Sequence, residues 1–331
     1  MKKTVKVAVI GLGEFGELHT DVLADFPGVE VLALVSRSEE RARQLAERYQ
    51  IPHTFQDTAD LLAKIELDAV HVVTSDDRHL APTLAALQAG VDVFVEKPLS
   101  YDLQEARQMV DEAGRLNRKL MVGHILRFDT KCATIKERIT RGELGQLLTV
   151  YCRRNTARAL IKSSRPHLFQ RSAIHDIDLI LWYFEGTKPV EVYMKSMDAF
   201  GEGDDIFWGM ITFDDGSLGI VENAWALPAA TPWRGQAQLE AVGTQGTAFV
   251  DAPGTTLEIW TGGKVERPNT GYWTSLHGTT VGALRDEIAY FLRCLREDRP
   301  ITMPLPEDSY KSLHVTEALL RSSREGHPIH L

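Results

Sequence analysis

The chain has 331 residues, 37 Lys and Arg against 46 Asp and Glu for a formal net charge of −9, and 44% hydrophobic residues. That length exceeds what one hydrophobic core usually spans, the apolar content can fill two, and the acidic balance argues against a general nucleic-acid binder. No apolar run approaches membrane-spanning length, and Met1-Lys2-Lys3-Thr4 leads into a strand without a signal-peptide pattern, so a cytoplasmic enzyme with no membrane partner is expected.

The first element is the apolar strand Val5 to Ile10, which runs directly into Gly11-Leu12-Gly13-Glu14-Phe15-Gly16 and then a helix. This order of strand, glycines and helix reads as a dinucleotide site. Gly11 allows the tight turn, Gly13 lets backbone approach a pyrophosphate, and Gly16 lets the helix pack close to the strand. Leu12, Glu14 and Phe15 share the loop, and the phosphates face the helix N-terminus. The second strand, Val29 to Val35, should end near the ribose, where an NAD-preferring site carries an acid. Here the residues are Ser36-Arg37-Ser38, a cation flanked by two hydroxyls, which favours NADP(H) over NAD(H). The competing reading makes Ser36 the cap of the next helix, with Glu39 three residues on, and leaves Arg37 solvated.

Helices at Glu39–Tyr49, His79–Ala89 and Glu105–Leu116 alternate with strands at Ala69–Thr74, Asp92–Glu96 and Leu120–Gly123, the pattern of a parallel, doubly wound sheet. The strands around Ala69–Val73 and Val91–Val95 are almost continuously apolar, as when helices cover both faces. Ligands in such sheets lie beyond the carboxyl ends of the strands, so Thr74-Ser75-Asp76, Glu96-Lys97-Pro98 and Gly123-His124 converge there. After about residue 124 the rhythm changes: a helix near Thr130–Arg141, a strand at Leu147–Arg153 and a helix near Ser172–Phe184. Strands follow at Val190–Met197, Phe207–Phe213, Leu218–Trp225, Gln238–Val242 and Thr247–Asp251, which read as antiparallel. Helices near Val281–Arg296 and Asp308–Glu325 close the chain. The expected architecture is an α/β Rossmann domain over 1–124 and an α+β domain over 125–331 with a large, mainly antiparallel open-faced sheet. Phe207, Phe213, Trp225 and Trp260 on that sheet ask for cover, and another subunit is the economical source. Cys132, Cys152 and Cys294 are widely separated, with no C-x-x-C and no zinc-finger spacing, so each is expected as a buried small residue.

The opening GxGxxG, Glu96-Lys97-Pro98, Arg127-Phe128, His175-Asp176-Ile177-Asp178, Val242-Gly243-Thr244-Gln245-Gly246-Thr247 and the end Ala318…Ser322…Gly326-His327-Pro328 occur in order along essentially the whole chain. Together they resemble the Gfo/Idh/MocA family, the glucose–fructose oxidoreductase and inositol dehydrogenase group. The resemblance implies hydride transfer between a hydroxyl-bearing carbon, usually on a sugar, polyol or related compound, and C4 of a nicotinamide. It implies that Lys97 hydrogen-bonds the reacting oxygen and that His175 is its acid–base partner, with a cis peptide before Pro98. A cation near the reacting centre stabilises developing alkoxide, and an imidazole titrates near neutral pH, so both residue types suit the chemistry. Thr74, Ser75 and His79, with Glu96 and Lys97, match the segments along the nucleotide; Arg127 matches an arginine that is more often structural than catalytic. The resemblance further implies a homodimer or homotetramer through the open sheet. No metal is required, and Asp176 and Asp178 would project to different sides of a helix turn.

One departure stands out. Many members carry an aspartate four residues before the histidine, where this chain has Arg171. A guanidinium disfavours imidazolium and suits an anionic ligand. From Tyr151 to Arg171 the chain holds Arg153, Arg154, Arg158, Lys162, Arg165 and Arg171 with no acid. An acidic substrate such as a uronate, aldonate or sugar phosphate, held by Arg171 with Arg153, Arg165 or His167, is therefore set against ordinary solvated or intersubunit charge. Strand alternation forbids Arg153 and Arg154 from facing the same way. Trp233 and Tyr272 lie in Pro- and Gly-containing loops and are weaker candidates for closing over substrate. Two other classes remain open on sequence: a catalytically silent cofactor-binding sensor or assembly protein, which Arg171 keeps alive, and an NAD-dependent glycoside hydrolase, whose glycine- and histidine-rich segment is missing.

Overall fold

A computed structural model describes residues 4–161, 167–231, 235–252, 257–261, 264–268 and 270–331. The chain forms two compact units, Met1–Ile125 with Tyr272–Tyr310 and Leu126–Gly271 with Lys311–Leu331. The segment Tyr272–Tyr310, expected in the second domain, thus groups with the first.

In the first unit β1 (Val5–Ile10), α1 (Glu14–Ala24), β2 (Val29–Val35), α2 (Glu39–Tyr49), β3 (His53–Phe55), α3 (Thr58–Lys64), β4 (Ala69–Val72), α4 (Leu80–Gln88), β5 (Asp92–Glu96), α5 (Leu103–Arg115) and β6 (Leu120–Gly123) alternate along the chain. All six strands are parallel, in the order β3-β2-β1-β4-β5-β6. The order reverses between β1 and β4, which places the ligand crevice outside their carboxyl ends. β4 and β6 are buried throughout and β5 nearly so, consistent with apolar strands covered on both faces. The cap of α2 is Ser38, whose hydroxyl accepts the Arg41 N–H, and this corrects the expectation that Ser36 caps it. The helix starts at Glu39, so the hydroxyl one residue before it has the reach, and Ser36 Oγ instead accepts the Ser38 N–H at 3.1 Å.

The second unit carries α6 (Thr130–Thr140), β7 (Leu147–Ala157), α7 (Leu168–Tyr183), β8 (Pro189–Met197), β9 (Ile206–Phe213), β10 (Leu218–Leu227), β11 (Gly235–Gly243) and β12 (Thr247–Ala252), then a ribbon of β13 (Ile259–Thr261) and β14 (Lys264–Glu266). The chain returns to the first unit for the β15 (Thr274–Leu276) and β16 (Thr279–Val281) ribbon and α8 (Ala283–Arg296). It continues through α9 (Pro306–Glu325) to β17 (Ile329–His330) in the second. The second sheet has the order β12-β11-β7-β10-β9-β8-β17; its pairs are antiparallel except β7 with β10, which run parallel.

Alternation decides which side of this sheet is covered. Phe207 meets Phe169 of α7 with ring centroids 5.1 Å apart, and Phe213 meets Phe184 at 4.3 Å. Phe207, Phe213 and Trp225 are therefore buried, and Trp260 stands on the small β13–β14 ribbon, so the expectation that these four crowd the open face is corrected. The open face instead carries Tyr151, stacked on Trp208, together with Met210 and Phe249. Among the described residues no helix is long and apolar enough to cross a membrane.

The α7 helix is fixed by two arginine–carboxylate pairs. Arg127 forks onto Asp178 at 2.8 and 2.7 Å with both side chains almost fully buried, and the Ser312 hydroxyl donates to the same carboxylate. Arg154 forks onto Asp176 at 2.8 Å through both nitrogens. Removing one partner of such a pair leaves a buried charge uncompensated. Arg127→Ala is expected to lower unfolding stability by about 3–5 kcal/mol, read as the denaturant midpoint by circular dichroism. A loss within the ~1 kcal/mol of a surface pair would show that Asp178 finds other partners.

Candidate active site

The glycine loop has a shape that only glycine permits at two of its three positions. Gly11 has φ +98°, and a Cβ there would stand 2.5 Å from the Val73 carbonyl oxygen and 2.6 Å from the Thr74 nitrogen. A Cβ on Gly16 would collide with the Gly11 carbonyl oxygen. Gly13, by contrast, has nothing within 4 Å of its Cβ position. It is the N-cap of α1 and offers no side-chain acceptor, whereas α2, α3 and α5 are capped by Ser38, Asp57 and Asp102. An open backbone at an uncapped helix start, at the reversal of strand order, fits the pyrophosphate of a dinucleotide.

Arginines from α2 brace this loop. Arg41 Nε donates to the Leu12 carbonyl at 3.2 Å and its guanidinium pairs with Glu17, whose other oxygen takes Arg48 at 2.6 Å. Glu14 is exposed, and Phe15 is half-buried with its ring edge-on to Trp273 at 5.3 Å. Arg37 is exposed at the end of β2 and forms no ion pair among the described residues. Thr74 Oγ1 donates to the Arg78 carbonyl at 3.1 Å, and the Ser75 hydroxyl holds the Asp77 carboxyl below its ordinary range.

Lys97 is half-buried at the end of β5, and the Lys97–Pro98 peptide is cis. His79 is buried, with Nδ1 2.9 Å from the Pro98 carbonyl oxygen and Nε2 3.4 Å from that of Thr74. It ties the segment after β4 to the segment after β5, and both ring nitrogens face backbone.

Beside Lys97 lies a polar cluster that the sequence reading missed. Glu96 Oε1 is 3.2 Å from His19 Nε2, Glu96 Oε2 accepts the Lys97 N–H at 3.3 Å, and His19 Nδ1 is 3.1 Å from His71 Nδ1. Burial holds the His71 imidazole well below its ordinary range, and so does the neighbouring His19. His71 stacks on Phe94 at 4.9 Å, with Phe291 of α8 edge-on to both. The signal was present: a histidine inside Ala69-Val70-His71-Val72-Val73 is a polar group on a strand expected to be buried on both faces, and such groups need partners.

In the second unit His175 is half-buried and Arg171, one helical turn earlier on α7, is exposed. His167, at the start of α7, has Nδ1 2.5 Å from Gln170 Oε1, and Gln170 in turn pairs with Glu317. Arg153 does not join them. Arg154 reaches α7, so Arg153 lies on the opposite face of β7, where Nε donates to Glu222 at 2.9 Å and a terminal nitrogen donates to Gln238 at 3.2 Å. Burial pushes the Glu222 carboxyl up, but bonds from Asn155, Tyr151 and Arg153 outweigh it and hold it below its ordinary range. Burial and Glu222 push the Tyr151 phenol up to about 12. Arg165 and Trp233 lie outside the described residues. Asp176 and Asp178 are each taken by an arginine, and the three cysteines are buried thiols.

The model of the Gfo/Idh/MocA oxidoreductase family, with an NAD-binding Rossmann fold, matches residues 5–124, and that of the family's C-terminal domain matches 132–249. The scyllo-inositol 2-dehydrogenase (NAD(+)) of Bacillus subtilis is 27% identical over 357 aligned residues, covering 100% of this chain and 97% of that protein. The 4-carboxy-2-hydroxymuconate-6-semialdehyde dehydrogenase of a Sphingobium species is 32% identical over 184 residues, 54% of this chain and 58% of that protein. The crystal structure of scyllo-inositol dehydrogenase from Lactobacillus casei with bound NAD(H) and scyllo-inositol matches with a TM-score of 0.81 at 18% identity over 99% of both chains, a likeness of fold.

The glycine geometry separates binding from folding. Gly13→Ala is expected to keep the thermal midpoint of the native chain while weakening dinucleotide binding in calorimetric titration, because the new methyl occupies the open approach. Gly16→Ala should lower both, because α1 must move away from Gly11. Equal melting losses in the two variants would contradict this division.

Proposed function

Because the chain belongs to the Gfo/Idh/MocA family of oxidoreductases, we propose that it is a nicotinamide-dependent dehydrogenase or reductase acting on a hydroxyl-bearing carbon of a sugar, polyol or related compound, with acidic substrates preferred. The observation that carries this reading is the Gly11–Gly16 cradle against Val73 and Thr74, at the strand ends from which β5 also delivers Lys97. A nicotinamide bound there supplies hydride exchange at its C4. The Lys97 ammonium donates a hydrogen bond to the substrate oxygen and favours the alkoxide as the carbon loses hydride. The role proposed for His175 is to take up or return the hydroxyl proton. Arg171, on the same helix one turn away, is proposed to hold a carboxylate or phosphate of the substrate. A relative whose name specifies a carboxylated substrate supports that preference.

The nucleotide preference rests on Arg37. No acid stands at the end of β2 and Arg37 forms no ion pair among the described residues, which supports NADP(H); the relatives whose names specify a cofactor specify NAD. The sensor and glycoside hydrolase readings gain no observation from the fold or from these relatives. Homodimers or homotetramers are proposed to form through the open sheet face. Trp208→Glu should then reduce the mass measured by light scattering, and an unchanged mass would remove that face from consideration.

The function is tested by nicotinamide absorbance with NADP⁺ or NAD⁺ and a panel of neutral sugars, polyols, uronates and phosphorylated sugars. Turnover is expected with an acidic member and should vanish in Lys97→Ala. Arg171→Asp should erase the preference for acidic over neutral substrates. Arg37→Ser should weaken NADP⁺ by about tenfold, the scale of one charge-assisted contact, and leave NAD⁺ nearly unchanged. Silence across the panel despite nucleotide binding would reject the reading, and equal loss of both nucleotides would remove Arg37 as the selector.

A further inference from the structure

We infer that His19, acting through the Glu96 carboxylate, is a positioning residue for Lys97, so that the helix of the glycine loop also sets the backbone of the reactive lysine. The inference deepens the proposed dehydrogenase reading and rests on it for the role of Lys97.

Both oxygens of Glu96 are committed. One faces His19 Nε2 from α1 at 3.2 Å and the other accepts the Lys97 N–H at 3.3 Å. The carboxylate is buried, and room for it is made by Gly123 at the end of β6, where a Cβ would stand 2.7 Å from Glu96 Oε1. Behind His19, the His71 Nδ1 at 3.1 Å fixes the tautomers. His71 Nε2 has no hydrogen-bond partner among the described residues, and an orphaned acceptor costs less than an orphaned N–H, so His71 carries its proton on Nδ1 and donates it to His19 Nδ1. His19 then carries its own proton on Nε2 and donates it to Glu96. Every donor in the chain of contacts is thereby used, and the sequence of bonds ends on the Lys97 backbone.

This arrangement resists displacement. His19 is fully buried between Phe15, Phe94 and His71, with ring centroids at 5.6, 5.3 and 5.4 Å. Its helix is held against β1 by the close approach of Gly16 to Gly11. A shift at His19 would free the carboxylate to rotate, and with it the residue on which the Lys97 ammonium depends. The other side of Lys97 is fixed independently by His79 on the Pro98 carbonyl.

The test compares His19→Leu, which removes the donor at similar volume, with His19→Gln, whose terminal amide can still donate to Glu96. Two readouts are taken on the full-length protein: steady-state kinetics, and the rate at which Lys97 is acylated by an amine reagent, followed by mass spectrometry. His19→Leu should lower kcat by about 10- to 100-fold, the range that a small misplacement of a reacting group can cost. The nucleotide KM should stay within about threefold, since the glycine loop is intact. Lys97 acylation should accelerate as its backbone is released, and His19→Gln should restore both quantities most of the way. Where His19→Leu fails to fold, Glu96→Asp, which withdraws the carboxylate from both partners, replaces it, with Glu96→Gln as the length-preserving control. Leucine and glutamine variants alike in kcat and labelling would overturn the inference and leave His19 a packing residue. If the unmodified chain turns over no substrate, the dehydrogenase reading fails, and the labelling comparison still decides this one.

Discussion

The carbon that cannot exist on Gly16 sets much of the first unit. Because that residue touches the Gly11 carbonyl, α1 lies closer to β1 than any side chain would allow. The same contact brings Gly11 against Val73 and Thr74, so the loop after β1 and the segment after β4 become one surface. Two consequences follow from one steric fact. The start of α1 is left open at Gly13, and the middle of α1 carries His19 to Glu96 at the end of β5. The proposed nucleotide site and the proposed positioning of Lys97 therefore share a mechanical origin, although the groups involved lie at opposite ends of the helix's first two turns.

The second unit solves a different problem, that of fixing the rotation of a helix on its sheet. Hydrophobic contact alone would let α7 slide or rotate on the sheet. Its two aspartates are instead clamped by arginines from different segments, Arg127 before α6 and Arg154 on β7, with Ser172 held by the Asn223 amide at 2.9 Å. Buried pairs of this kind contribute little net stability relative to apolar packing but penalise every register except one. The fixed rotation sends Asp176 and Asp178 to their arginines and leaves His175 and Arg171 on the remaining side. Arg171, one turn before His175, therefore places a cation on the helix without touching the clamps.

The sequence was legible where periodicity or steric necessity spoke for a whole segment. The glycine loop, five of the six strands of the first unit, and the helix at Glu39–Tyr49 follow from local rules. β3 is three mostly exposed residues, and nothing in its pattern distinguishes it from a loop; it forms because β2 presents an unpaired edge. Side-chain direction was harder. The rule that Arg153 and Arg154 face opposite ways was available, but which of the two meets α7 depends on where Asp176 falls, a tertiary fact. The same one-residue parity moved the open-face aromatics from Phe207 and Phe213 to the exposed Trp208 and the half-buried Tyr151. The return of Tyr272–Tyr310 to the first unit was hidden because α8 is amphipathic in sequence without saying which sheet receives Phe291.

Two arginines four residues apart show how far composition can mislead about charge. Arg37 and Arg41 both follow β2, and both stand near the place where a ribose is expected. Arg41 is spent: its guanidinium neutralises Glu17 and its Nε holds the Leu12 carbonyl, so its charge is part of the loop's structure. Arg37 is exposed and forms no ion pair among the described residues. An unpaired exposed guanidinium gains little from a neutral hydroxyl and considerably more from a phosphate dianion, because only the latter supplies a charge-assisted, forked acceptor. Reach to Glu17 sets the difference: Arg41 of α2 is spent on building the loop, and Arg37, ahead of the helix, is the one proposed to read the ligand.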